Sequence, residues 1–177
     1  MRIRKTIYRI TRTLVALFTA LWAVSLITGY TLVLLLNDPG LYITDVDVKK
    51  GETVRILKDL NFEEGNWTAY LVLGNDDWVN SKDYDRNCYR VRDKAILNQF
   101  KNVWEMEITS GDVATVTSYI IFLKDGSPVW KAGVIINDDG LEGFQSSALG
   151  WVKPMKKGAI KDSLMLFDSV YAPIVIL

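Results

Sequence analysis

The segment 83–87, Asp-Tyr-Asp-Arg-Asn, begins like a calcium-binding loop of the EF-hand type. Side-chain oxygens at alternate positions suit a hard cation such as Ca²⁺. The rest of the pattern departs from that loop, because the sixth position is Cys88 instead of glycine and the twelfth is Lys94 instead of glutamate. The sequence therefore favours a polar surface loop here and predicts no bound metal and no other cofactor.

Two further pairs of residues have types that occur in catalytic sites. Glu105 and Glu107 fall on one face of a predicted strand, and glycoside hydrolysis uses two carboxylates that flank the scissile bond. Lys161 and Ser163 have the residue types of a Ser–Lys pair. An exposed strand face explains the glutamates equally well, and closeness along the chain does not show that a serine and a lysine act together. We therefore predict no catalytic residue.

The chain contains no histidine and a single cysteine, Cys88. Without histidine, neither a Ser-His-Asp triad nor a Cys-His pair can form, and zinc sites with histidine ligands are excluded. Cys88 cannot form a disulfide within the chain, and free cysteine is among the most buried residue types. The composition therefore favours a protein that is not an enzyme and that has a buried thiol, with a bridge from Cys88 to another chain as the alternative.

The polar stretch 75–81, Asn-Asp-Asp-Trp-Val-Asn-Ser, contains an unusual tryptophan, Trp78. Most other tryptophans beyond residue 60 lie in predicted strands, where a hydrophobic core would take them. An exposed aromatic ring instead anchors a protein partner or stacks on the sugar rings of a glycan. Trp78, together with Asp76 and Asp77, is therefore the candidate partner-binding group.

The zero net charge of the 177-residue chain hides an uneven distribution. Five of its 21 basic side chains lie in residues 1–36, which contain no acidic one, so 16 basic and 21 acidic side chains remain beyond residue 36. Nucleic-acid binding needs a concentrated positive surface. An acidic domain of this kind therefore excludes nucleic acid as a partner.

Residues 13–36 form a run of 24 residues without a charged side chain. A helix of that length measures about 36 Å, enough to cross a hydrocarbon layer of roughly 30 Å. A secretory signal peptide would have an apolar region of only about 7–15 residues before a small-residue cleavage site, and no Ala-x-Ala pattern follows this run. We therefore predict an uncleaved transmembrane helix (a signal anchor) at 13–36. A mitochondrial presequence is the alternative interpretation of the basic start.

The flanks of this helix predict its orientation. Basic residues are retained on the cytoplasmic side of a membrane, and all five precede the apolar run, whereas Asp38, Asp45 and Asp47 follow it. We therefore expect residues 1–12 to be a cytoplasmic tail of the inner membrane and the remainder to be periplasmic or extracellular. The tail residues expected on one helical face, in contact with lipid headgroups of the bilayer, are Arg2, Lys5, Arg9 and Arg12.

Within the apolar run, Trp22 is expected to serve as apolar bulk at mid-span. Ser25 and Gly29 are small residues four apart, a spacing that permits close contact between membrane helices. Homo-oligomerisation through the helix is therefore a further expectation.

The remaining residues predict an α+β domain at 41–177, after a short linker at 37–40. Strands at 114–123 and 128–136 are expected to form a hairpin around the Asp125-Gly126 turn. Other strands are predicted at 67–73, 103–109, 143–152 and 171–177, and helices at 94–101, capped by Asp93, and at 52–60. Hairpin-linked strands outnumber helices, so we expect an antiparallel sheet with one or two short helices.

These observations favour a single-pass membrane-anchored protein with a non-enzymatic, protein-binding domain outside the membrane. Its partner is expected to be another envelope protein, as for an accessory subunit of an envelope assembly or an immunity-type protein that neutralises a toxin. The alternative is a protein that binds cell-wall glycan, or an enzyme that cleaves it with carboxylates. A sensor is a third hypothesis, and the 12-residue tail would then require a cytoplasmic partner.

Overall fold

The computed structural model of the chain describes residues 2–36, 49–75, 77, 83–109, 116–136, 141–146 and 149–177. Within these residues, a long N-terminal helix is followed by a mostly antiparallel sheet and two short helices. The predicted α+β class is therefore confirmed.

The long helix, α1 (Arg2–Thr28), begins and ends earlier than the predicted helix at 13–36. Gly29 ends it, because its φ of 74° is left-handed and its N–H donates to the carbonyl of Ser25 at 3.0 Å. The leucine-rich residues that follow form a strand. Residues 4–28 of α1 are long and apolar enough to cross a membrane, and only 6% of their most apolar window is buried. The predicted linker, 37–40, lies outside the described residues.

The strands are β1 (Leu32–Leu34), β2 (Thr53–Arg55), β3 (Trp67–Val72), β4 (Cys88–Val91), β5 (Glu105–Thr109), β6 (Tyr119–Lys124), β7 (Ser127–Ile136), β8 (Glu142–Ser146), β9 (Gly150–Pro154), β10 (Asp168–Ser169) and β11 (Ile174–Ile176). The short helices are α2 (Lys94–Val103) and α3 (Ala159–Leu164). In the described part of the chain, nine strands form one sheet in the order β10-β4-β3-β6-β7-β8-β9-β5-β2, with antiparallel neighbours. The other two, β1 and β11, form a separate parallel pair, the β1–β11 ribbon.

Two local predictions from the sequence are confirmed. β6 and β7 form the expected hairpin, and the positive φ values of Asp125 (52°) and Gly126 (82°) are those of a two-residue turn that matches strand twist. Asp93 caps α2, because its carboxylate accepts from the N–H groups of Ala95 at 2.7 Å and Ile96 at 3.3 Å.

Two other predictions are wrong. The helix predicted at 52–60 is absent from these described residues, because Thr53–Arg55 instead pairs as edge strand β2 with β5 and buries Val54. The strand predicted at 143–152 is two strands, β8 and β9, which pair antiparallel with Phe144 opposite Val152. Gly150, with a φ of 62°, allows the chain to reverse between them.

The domain has two apolar clusters, one on each face of the sheet. The larger one brings residues of many strands together with Leu97 and Phe100 of α2 and Ile160 of α3. The smaller one lies on the other face of β3, β4 and β6. It consists of Tyr70, Val72, Cys88, Ile121 and Leu123, packed with Val170 and with ribbon residues Val33, Leu35, Val175 and Leu177. The ribbon therefore covers the second face of the sheet.

Candidate functional site: the junction between α1 and the domain

The end of α1 is joined to the domain through a buried arginine, Arg86. This residue lies just before β4 and is 3% exposed, and Ser25 of α1 is 2% exposed. The Nη2 group of Arg86 donates to the carbonyl oxygen of Ser25 at 3.0 Å and to its hydroxyl at 2.9 Å. Because Ser25 lies in the last turn of α1, the cation also lies at the negative end of the helix dipole.

The guanidinium of Arg86 has a second contact, with Tyr171. Its central carbon lies 4.7 Å from the centroid of the Tyr171 ring, which is cation–π geometry. The backbone oxygen of Tyr171 accepts from Nε1 of Trp22 at 2.9 Å. The prediction that Trp22 acts only as apolar bulk is therefore wrong, because its indole N–H is bound to the domain.

The neighbouring residue, Asn87, fixes the chain just after α1. Its side-chain oxygen accepts from the N–H of Thr31 at 2.7 Å, and its amide nitrogen donates to the Thr31 carbonyl at 3.1 Å. Its own backbone N–H donates to the carbonyl of Gly29 at 3.3 Å. The Thr31 hydroxyl donates to the backbone oxygen of Ala172 at 2.9 Å. The buried Asn87 side chain thus forms the two hydrogen bonds with the Thr31 backbone that a residue of a neighbouring strand would form.

We call this group of contacts the junction, and its residues are Trp22, Ser25, Thr31, Arg86, Asn87 and Tyr171. No pattern in the sequence indicates that these residues meet. Arg86 and Asn87 lie in the segment that resembles a calcium loop, and Ser25 belongs to the small-residue pattern that predicts contact between helices. A buried arginine can be recognised only when the structure shows which groups surround it.

Asp77, one of the three predicted partner-binding residues, lies beside a narrow cleft at the end of β3. Its carboxylate accepts from the hydroxyl of Ser118, whose oxygen in turn accepts from the N–H of Gly74 at 2.8 Å. The other residues that line the cleft are Leu73, Tyr84, Val134 and Ile136. Asp76 and Trp78 lie outside the described residues.

The hydroxyl of Tyr84 is buried at this cleft and has no hydrogen-bond partner among the described residues. Burial, with a smaller contribution from the nearby Asp83 charge, raises the pKa of Tyr84 to about 12. The phenol therefore stays protonated at neutral pH and remains a donor. The cleft is too narrow to admit a ligand, since about 10 Å³ is open to the centre of a water molecule.

The acids that resemble calcium ligands have protein partners. Asp83 forms an ion pair with Lys161 at 2.7 Å. Asp85 accepts from the hydroxyl of Tyr89 at 2.7 Å and from that of Ser169 at 3.1 Å. The segment therefore ties β4 to the residues around α3 and β10.

The candidate catalytic pairs are also engaged in structural contacts. Glu105 pairs with Arg55 at 3.6 Å, and Glu107 pairs with Lys153 at 3.1 Å. Ser163 is buried, donates to the carbonyl of Ala159 at 2.6 Å and accepts from Nε1 of Trp104 at 3.0 Å. Lys161 forms an ion pair with Asp83.

The described residues of the basic tail lie along the first turns of α1. The side chains of Lys5, Arg9 and Arg12 are exposed, and Arg2 begins the helix. Their contact with lipid headgroups stays a prediction.

Comparison of the chain with protein-family models, with curated proteins and with solved structures finds no match.

Proposed function

We propose that this chain is a single-pass inner-membrane protein whose α+β domain lies outside the membrane and binds another envelope protein without catalysis. The observation that supports this most directly is α1 itself, a long apolar helix whose side chains are almost all exposed. A helix that is apolar around its circumference needs either a protein core or lipid around it, and the described residues of the domain leave α1 almost entirely uncovered.

The junction supports retention of α1 after synthesis. Arg86 is buried, and its hydrogen-bond acceptors on Ser25 belong to the helix. Cleavage of α1 as a signal peptide would leave a buried guanidinium without these acceptors, which is costly for a charged group. The junction therefore argues for an uncleaved anchor.

The basic tail supports the orientation. Five basic and no acidic side chains precede the apolar part of α1, so the N-terminus is proposed to stay in the cytoplasm. Arg2, Lys5, Arg9 and Arg12 would then face the anionic headgroups of the inner leaflet.

The proposed partner-binding surface surrounds Asp77, with Asp76 and Trp78 as the further members predicted from the sequence. Asp77 is exposed, and its carboxylate supplies an acceptor beside the cleft. The net negative charge beyond residue 36 favours a partner with a basic surface.

The glycan-directed alternative finds less support. Trp67, Trp104, Trp130 and Trp151 are buried, so none of these rings is available for stacking on a sugar. Glu105 and Glu107 each form an ion pair with a neighbouring strand. A protein partner is therefore the function that the described residues support best.

Photocrosslinking in intact membranes tests the proposal. A photoreactive amino acid replaces Asp77, and in the control it replaces Asp59, another exposed aspartate. We expect a specific crosslinked protein from position 77 and none from position 59. Equal crosslinking at both positions, or none at position 77, would contradict partner binding at this surface. Mass spectrometry of the membrane-extracted protein tests the anchor separately, since a mature chain that starts after Thr28 would contradict it.

A further inference from the structure

The outward face of the β1–β11 ribbon is apolar. Side chains alternate along a strand, so Val33 packs on the sheet while Leu32 and Leu34 point away from it. Leu32 is 43% exposed, Leu34 is 40% exposed and Ile176, which lies opposite Leu34, is 63% exposed. This face continues directly from the exposed apolar side chains of α1.

The uncharged part of α1 is shorter than the hydrocarbon layer of a bilayer is thick. Arg12 is the last charged residue of α1, and the uncharged part, 13–28, contains 16 residues. Sixteen residues of helix measure about 24 Å, whereas the hydrocarbon layer is roughly 30 Å thick. About 6 Å of hydrocarbon, and the outer headgroup layer beyond it, therefore remain to be covered by residues that follow Thr28.

The hydrogen bond from Trp22 to Tyr171 places the ribbon at that depth. Trp22 precedes Thr28 by six residues, or about 9 Å along the helix axis, and long helical side chains lean toward the N-terminus. Two residues of extended chain reach at most about 7 Å, so Pro173 lies no farther out than about the end of α1. The carbonyl of Pro173 accepts from the N–H of Leu32 at 2.9 Å, which places Leu32 at the same level.

We propose that the outer leaflet of the bilayer covers the start of the β1–β11 ribbon, with Tyr171 and Leu32 in lipid and with Leu34 and Ile176 at the headgroups. The exposed ring of Tyr171 then lies at the membrane interface, where tyrosine is enriched in membrane proteins. The inference rests on the proposed membrane anchor and adds that the domain itself is seated in the bilayer. Leu36, two residues beyond Leu34 on the same face, then lies toward the water.

Depth-dependent fluorescence quenching tests this arrangement in the full chain. Single cysteines replace Leu32, Leu34 or Leu36 and carry an environment-sensitive fluorophore, while the fully buried Cys88 stays unlabelled. The protein is reconstituted in vesicles of phosphatidylethanolamine and phosphatidylglycerol. One set of vesicles carries lipids with a nitroxide near the headgroup, and iodide serves as the aqueous quencher. Val129, an exposed residue of β7, supplies the control position.

We expect the headgroup nitroxide to quench the labels at positions 32 and 34 several-fold more strongly than the label at 129, and to quench the label at 36 less strongly than the label at 34. Iodide should give the opposite order. Equal quenching of the labels at positions 32 and 129 would overturn the proposal. A label at 32 that is shielded from both quenchers would also overturn it, because a second protein chain would then cover the ribbon.

A label at Phe18, in the middle of the uncharged part of α1, separates this inference from the anchor. If a nitroxide near the ends of the acyl chains quenches position 18 while position 32 behaves like 129, the anchor stands and the seating of the domain is wrong. If position 18 is not quenched, the membrane anchor itself fails.

Discussion

The guanidinium of Arg86 binds Ser25 through two acceptors, the carbonyl oxygen at 3.0 Å and the hydroxyl at 2.9 Å. The planar cation is buried, so these bonds have a definite direction and little competition from water. Together with the Trp22–Tyr171 bond, they hold α1 in one orientation relative to the sheet. Under the proposed membrane anchoring, this junction would present the domain at a fixed angle to the bilayer.

Removal of two junction contacts should loosen this orientation. We expect the double variant Trp22→Phe/Ser25→Ala to broaden the distance distribution between spin labels placed at Phe18 and Val129, measured by pulsed electron paramagnetic resonance. Thr19→Ala is the matched control, because Thr19 is exposed and its hydroxyl donates to Val15 within α1 at 2.9 Å. A distance distribution as narrow in the double variant as in the wild type would show that other contacts fix the orientation of the helix.

Asn87 should be among the polar residues on which stability depends most. Asn87→Ala leaves the N–H and the carbonyl of buried Thr31 without their partner, so we expect a loss of about 2–4 kcal/mol in the free energy of unfolding. Urea denaturation in detergent measures it. Asn98→Ala removes only an exposed bond to Glu63 and should cost less than about 0.5 kcal/mol. Equal losses for the two variants would contradict this view of the junction.

Glu142 should stabilise the start of α3. Its buried carboxylate accepts from the backbone N–H groups of Gly158, Ile160 and Lys161. Glu142→Gln replaces an acceptor oxygen by a donor, so we expect a loss of about 2 kcal/mol in the free energy of unfolding. Glu107→Gln, which removes one surface ion pair, should cost less than about 1 kcal/mol. A smaller loss at 142 than at 107 would refute the capping role.

Cys88 should make stability depend on alkaline pH. Burial raises the pKa of its thiol from 9.0 to about 12, and the charges of Arg86 and Arg90 oppose this only partly. Below pH 9.0 the thiol is neutral in both folded and unfolded chains, so its contribution is fully present there. Above that pH the unfolded chain releases a proton that the folded chain keeps, and stability falls until about pH 12.

The comparison of the wild type with Cys88→Ala isolates this effect. The difference between their free energies of unfolding should change by up to about 1.4 kcal/mol per pH unit above pH 9, in favour of the variant. Urea denaturation at a series of pH values measures it, and tyrosines that titrate in the same range affect both proteins alike. A difference that does not vary with pH would show that the thiol is not protected by burial.

The features that were predicted correctly depend on local signals. Asp125-Gly126 has the residue types that a tight hairpin turn requires. Asp93 directly precedes an amphipathic run, so its carboxylate can accept hydrogen bonds from the first N–H groups of the helix. The class of the fold follows from such local signals because hairpins bring neighbouring strands together.

The features that were missed depend on contacts between distant residues. Thr53–Arg55 forms a strand because its backbone pairs with that of β5. The sequence pattern of 52–60 is helical and does not indicate this pairing. The end of α1 could not be placed from hydropathy, because Leu32–Leu34 is as apolar as a membrane helix but pairs with a segment far along the chain. The junction was missed for the same reason, since Arg86 and Ser25 are separated by 61 positions.

The pairing of β1 with β11 also sets an order of events during synthesis. Leu32 emerges from the ribosome directly after α1, whereas its partner Ile174 follows only after every strand of the nine-stranded sheet in the described part of the chain. Because contacts between residues so far apart form slowly, β1 cannot pair with β11 until the strands between them have been synthesised. Closure of the ribbon is thus among the last steps of folding, because its second strand follows every strand of the nine-stranded sheet in the described part of the chain.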